Sequence, residues 1–176
     1  MPKSTNTSPE PRGIEKISTG IEGLDQITLG GLPKGRQTLV CGSAGSGKTV
    51  MAMEFILHGA LKFHEPGAFI AFEERKEDLI QNLASMGYDL ENLIKENLIA
   101  IEYIQIDPTG YTVTGEYDLE GLFIRIGNVI NKIGAKRIVL DTIEALFSGF
   151  ADNALSRSEL KRLFIWLKDK GLTTIL

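Results

Sequence analysis

Apolar positions along this chain recur in two rhythms. Short continuous runs stand at Arg36–Cys41 (RQTLVC), Ala68–Phe72, Leu98–Ile104, Arg137–Asp141 (RIVLD) and the terminal LTTIL. Runs of that length read as strands buried on both faces. Between them, apolar residues return every three or four positions: Met53, Ile56, Leu57, Ala60 and Leu61 within Thr49–Phe63; Leu79, Ile80 and Leu83 within Lys76–Met86; Leu122, Ile126, Val129, Ile130 and Ile133 within Leu119–Ile133. That spacing builds one apolar stripe on a helix. Gly87 is expected to end the Lys76–Met86 helix; shorter or more mixed helices are expected at Leu90–Glu96 and at Ser158–Lys170, where Leu163, Phe164, Trp166 and Leu167 face a core and Gly171 is the stop. Strands alternating with helices predict an α/β architecture with a mainly parallel sheet flanked by helices.

The flanks follow other rules. The first thirteen residues, MPKSTNTSPEPRG, cannot bury apolar surface and are expected to form a disordered lead. Turn signals dominate from Ile14 to Gly35, with Leu24, Ile27 and Leu29 expected to pack a short helix among them. The polar stretch Asp107–Asp118 is long enough to suggest a functional or mobile loop, and its Tyr111 and Tyr117 could line a channel. A strand-like run at the last residues suggests that 14–176 is one incomplete domain, short of its C-terminal part.

Composition narrows the picture only modestly. A chain of 176 residues is long enough for one real core. The formal net charge of −4 weighs against a general nucleic-acid surface, while leaving room for a local basic groove. The charges at Lys161, Arg162, Lys168 and Lys170 read as a solvated face. One cysteine, Cys41, rules out an intrachain disulfide, fits a reducing cytoplasm, and reads as a small buried strand residue. No apolar run is long enough to span a bilayer. His58 and His64 lie in no metal or triad pattern and suit surface or helix-end roles.

The chemistry is concentrated at Gly42-Ser43-Ala44-Gly45-Ser46-Gly47-Lys48-Thr49, which matches G-x-x-x-x-G-K-T/S between a strand and a helix. Glycines let successive N–H groups turn toward phosphate oxygens, and the helix N-terminus adds partial positive charge. In this arrangement Lys48 reaches the β- and γ-phosphates and the Thr49 hydroxyl coordinates Mg²⁺. A phosphate loop also needs a metal-side carboxylate at another strand end, and RIVLD supplies Asp141.

A water-activating carboxylate is harder to place. Thr142 and Ile143 follow Asp141, and Glu144 is three positions away at a candidate helix start. The base is therefore expected from a different strand end. In open α/β sheets ligands lie at the carboxyl ends of strands, and FIAFEE ends on Glu73-Glu74. Alternation puts Phe69, Ala71 and Glu73 on one face and Ile70, Phe72 and Glu74 on the other. Only one glutamate can then face the phosphates, and Glu73 is the better candidate.

Taken together, STGIEGLDQITLGGLPKG, GSAGSGKT, EPGAFIAFEE, SMGYDL and IVLDT resemble the KaiC branch of the RecA-like ATPases, from about Ile14 to the last residue. The resemblance implies hexameric rings with ATP between subunits. It implies phosphate contacts at Gly45, Ser46, Gly47, Lys48, Thr49 and Val50, with Mg²⁺ at Thr49 and indirectly at Asp141. It makes Glu73 the general base and Glu74 its paired acid, and puts Ser85 near the nucleotide. Such proteins carry ATPase, autokinase and autophosphatase activities linked to circadian timing, usually on two tandem domains. This chain looks closer to the first, ATPase-dominated one. The basic residues that a neighbouring subunit lends to the nucleotide are expected downstream of TTIL.

The leading expectation is a Mg²⁺-dependent ATPase of signalling or circadian type. A serine/threonine autokinase at the same site, a DNA-handling RecA-like motor and a non-catalytic nucleotide-gated module are the alternatives. Retained protein-bound phosphate, nucleotide-dependent binding to single-stranded DNA, and tight ATP binding without turnover would respectively mark them.

Overall fold

A computed structural model describes residues 13–105, 119–147 and 153–176. The expected lead, except Gly13, and the Asp107–Asp118 loop with its two tyrosines lie outside the described residues.

Five parallel strands form the central sheet: β3 (Gln37–Thr38), β4 (Gly67–Ala71), β5 (Ile99–Tyr103), β6 (Arg137–Asp141) and β7 (Thr173–Ile175), in the order β3-β7-β6-β4-β5. Helices cover both faces, giving the RecA-like α/β arrangement. On one face α2 (Lys48–Phe63), α3 (Lys76–Ala84) and α4 (Leu90–Lys95) pack against Phe69, Ala71, Ile99, Ile101, Val139 and Ile175. On the other, α5 (Glu120–Ile133) and α7 (Asn153–Asp169) pack against Ala68, Ile70, Phe72, Ile138 and Leu140. The strands thus read as continuous apolar runs because each face has its own core.

The helix α2 shows how its pattern becomes stability. Met53, Phe55, Ile56 and Leu57 are fully buried, and each such side chain contributes about 1.5–3 kcal/mol of transfer free energy. The helix stops at His64, which adopts a left-handed conformation with φ 55°. Helix α4 starts where the Asp89 carboxylate accepts from the Asn92 amide at 3.1 Å, an N-cap that satisfies one orphan donor. On the opposite face Phe123 stacks on Trp166 with ring centroids 5.2 Å apart, so Trp166 is a packing residue. Lys161, Arg162, Lys168 and Lys170 are exposed.

Ahead of the sheet lies a small antiparallel pair, β1 (Lys16–Ile17) with β2 (Leu32–Pro33), around the short helix α1 (Leu24–Ile27). Asp25 organises it. Its carboxylate accepts from the Thr19 amide at 2.8 Å, the Thr19 hydroxyl at 2.7 Å, the Gly20 amide at 3.0 Å and the Ser18 hydroxyl. Burial alone would raise the Asp25 pKa, but these four bonds outweigh it and bring it down to about 2. Gly31, at φ 108°, lies so close to Ile17 that a Cβ would fall 1.9 Å from its carbonyl oxygen.

Several expectations are corrected. Ile27 and Leu29 do not pack the short helix; they are 80% and 84% exposed. The strand expected over Arg36–Cys41 is regular only at Gln37–Thr38, although the ladder runs on to a bond from the Val40 amide to the Leu176 carbonyl at 2.9 Å. Cys41 is consequently exposed, beyond the paired edge, and is no core residue. After Asp141 the chain enters α6 (Ile143–Phe147), and α7 begins at Asn153, earlier than the apolar pattern indicates.

At the N-terminal edge of the strands, Arg137 is buried to 1% exposure. Its Nε donates to Glu65 Oε2 at 2.7 Å, and its two terminal nitrogens donate to the Phe55 and Ser18 carbonyls at 3.1 and 2.9 Å. The guanidinium also lies over the Phe55 and Phe63 rings, 4.7 and 5.1 Å from their centroids. One side chain thereby joins β6, α2 and the N-terminal segment.

Candidate functional site

Strand parity and register assemble the opposite edge. The β4–β6 ladder pairs Ala71 with Asp141, and the Phe72 amide donates to the Asp141 carbonyl at 2.8 Å. Both strands therefore end level. Val139 packs on the α2 face, so Asp141, two residues on, points to that face. It meets the start of α2: the Thr49 hydroxyl donates to Asp141 Oδ2 at 2.7 Å, across 92 positions of sequence. Beyond the end of β4 at Ala71, Phe72, Glu73 and Glu74 form a bend that leads to α3.

The phosphate loop closes the arrangement. Gly45 and Gly47 take φ of 76° and 85°, a region side chains disfavour. Gly47 caps α2, and Lys48 begins it. The Lys48 ammonium folds back over the loop and donates to the Gly42 and Ser43 carbonyls at 2.8 and 3.1 Å. A cleft of about 570 Å³ is lined by positions 44–50 together with Glu73, Thr142 and Glu144. Gly45, Ser46, Gly47, Lys48, Thr49 and Val50 all border it, with Gly42 just behind as a Lys48 acceptor.

Two further candidates stand apart. Glu74 turns to α3, where its carboxylate accepts from Asn82 Nδ2 at 2.6 Å, and it does not border the cleft. Ser85 caps the end of α3, its hydroxyl donating to the Asn82 carbonyl at 2.5 Å, and it too lies outside the cleft lining. Thr142 and Glu144, which strand-end reasoning left unassigned, do border it. The signal for both was their place directly after Asp141.

The electrostatics are one-sided. Burial raises the Asp141 pKa above the usual carboxylate range; the Thr49 bond and Lys48 pull it back, while Glu73 and Glu144 push it up. Among the described residues neither Glu73 nor Glu144 has a hydrogen-bond or ion-pair partner. The Thr142 hydroxyl is buried and likewise unpaired. Unsatisfied acceptors around an amide-rich loop are suited to a ligand that brings its own cation. Hydroxyl and carboxylate oxygens are the hard donors that Mg²⁺ takes, so Thr49 and Asp141 fit that ion.

Among the described residues no helix is long and apolar enough to cross a membrane. A family model described as "ATPase: KaiC" matches residues 17–176. The chain is 55% identical over 161 residues to the circadian clock protein KaiC2 of Synechocystis sp., covering 92% of this chain and 28% of that protein. It is 41% identical over 173 residues to the circadian clock oscillator protein KaiC of Synechococcus elongatus, covering 98% of this chain and 33% of that protein. The chain thus spans about a third of the length of these curated relatives. On the family match and these identities, it belongs to the KaiC ATPase family.

Proposed function

We propose that this chain forms the nucleotide-binding core of a Mg²⁺-dependent ATPase. The observation that carries the reading is the 2.7 Å bond from Thr49 to Asp141, which joins the loop's hydroxyl to the strand-end carboxylate beside a cleft that also holds Lys48 and Glu73. The loop amides and Lys48 bind the phosphates, and Thr49 and Asp141 hold the metal side. Mg²⁺, when bound, supplies charge neutralisation at the phosphate oxygens. Glu73 accepts the proton of the attacking water. Glu74 acts at one remove: by holding Asn82 it fixes the turn that presents Glu73. Ser85 is assigned to the nucleotide's surroundings on resemblance alone.

Phosphoryl transfer is catalysed mainly by positioning and charge, so removing either group has a separable result. In the full-length protein, Lys48→Ala is expected to abolish ATP binding, measured by calorimetry. Glu73→Gln is expected to keep binding and to lose about 10²–10⁴-fold in turnover, measured as phosphate release. Undiminished turnover in Glu73→Gln would remove this glutamate from the mechanism. The proposal extends to a cytoplasmic hexameric ring and, from the clock names of the relatives, to a timing or signalling role.

A further inference from the structure

The start of α6, directly after Asp141, brings a third carboxylate to the phosphate cleft. Glu144 lines it together with Glu73, Thr142 and the loop positions 44–50. Among the described residues Glu144 has no hydrogen-bond or ion-pair partner, and it also lines an adjoining cavity together with Lys48 and Asp141. Against the negative charges of Glu73, Asp141 and Glu144, the loop offers the single ammonium of Lys48, itself shared with two carbonyls. A polyphosphate entering this cleft adds several more negative charges. An acidic side chain at that position repels the ligand unless a cation stands between them.

The geometry points to Glu144 as a positioning residue for the hydrated metal: its carboxylate accepts from water on the Mg²⁺ that Thr49 and Asp141 would hold. Two features favour the water over the ion itself. Glu144 is exposed where it lines the cleft, whereas Thr49 and Asp141 are half-buried and bonded to each other. Mg²⁺ also dehydrates reluctantly and keeps several waters, which need outer acceptors to hold their orientation. Glu73 cannot supply that acceptor while it holds the attacking water. The inference rests on the ATPase reading above and deepens it by naming a group that sets metal affinity without touching phosphate.

The test is a Mg²⁺ titration of a fluorescent ATP analogue bound to the full-length protein, with nucleotide affinity in EDTA measured alongside. Glu144→Gln is expected to raise the Mg²⁺ half-saturation concentration about tenfold, with metal-free affinity unchanged or tighter. Mn²⁺ binding, followed by electron paramagnetic resonance, is expected to weaken in parallel. Glu144 is exposed, so folding is preserved and circular dichroism checks it. An unchanged half-saturation in Glu144→Gln overturns the inference while leaving the ATPase reading standing. An equal loss with and without metal overturns it too, because the carboxylate then meets the nucleotide or a basic side chain. A wild-type protein that fails to bind the analogue defeats the ATPase reading itself, and this inference with it.

Discussion

The two edges of the sheet treat charge in opposite ways. At the N-terminal edge Arg137 is buried and each guanidinium nitrogen has a partner, in Glu65 or a backbone carbonyl, with two aromatic faces beside it. At the carboxyl edge Glu73 and Glu144 lack protein partners among the described residues, the Thr142 hydroxyl is unpaired, and Lys48 leans on its own loop. A fully satisfied buried charge is a structural tie. A group of unsatisfied ones around a cleft is stability forgone where a ligand is to be met. The same strand, β6, carries both: Arg137 opens it and Asp141 closes it.

If that contrast is right, substitutions at the two edges must fail differently. The largest stability loss is expected for Arg137→Ala, which strands Glu65 and two carbonyls. It should cost about 3–5 kcal/mol, read from the urea midpoint. A variant as stable as wild type would dissolve the comparison. Gly31→Ala comes next, at about 3 kcal/mol, because the Cβ must displace the Ile17 carbonyl at a φ that alanine disfavours. Separation of β1 from β2 would appear as faster amide exchange around Ile17.

The third effect is acid dependence. The Asp25 pKa is depressed to about 2 in the folded protein, against about 3.9 unfolded. Its contribution is therefore complete above about pH 4 and is lost as pH falls toward 2. Asp25→Asn should flatten that part of the stability-versus-pH curve, and an unaltered slope would deny the carboxylate its role. The smallest effect is expected for Glu73→Gln, which removes a charge that nothing in the protein balances. Its thermal midpoint should stay level or rise by a degree or two, even as turnover collapses. A clear drop in midpoint would mean that Glu73 is a structural tie after all.

Legibility follows the same division. Periodicity sufficed for α2, α5 and the buried strands, since each is long enough to show its rhythm. Glu73 borders the cleft and Glu74 turns to Asn82, but both lie in the bend after β4, where strand alternation no longer applies. Periodicity could not foresee β1 and β2, of two residues each, where backbone pairing and Asp25 decide the structure instead of apolar spacing. Nor could it foresee that Arg137, reading as a charged strand start, is the most enclosed cation of the described chain. Its partners Glu65, Phe55 and Ser18 precede it by 72, 82 and 119 residues, and no local pattern joins them. Glu144 was visible but unplaced, because the short helix α6 that carries it to the cleft is too brief to show a period.

Cys41 carries a practical consequence. It is the one cysteine of the chain, it is exposed, and it directly precedes Gly42. A thiol-reactive dye at this position would sit at the entry to the phosphate loop with no competing thiol within these 176 residues. Its emission would register loop movements in real time, so that the order of nucleotide and metal arrival becomes a kinetic observable.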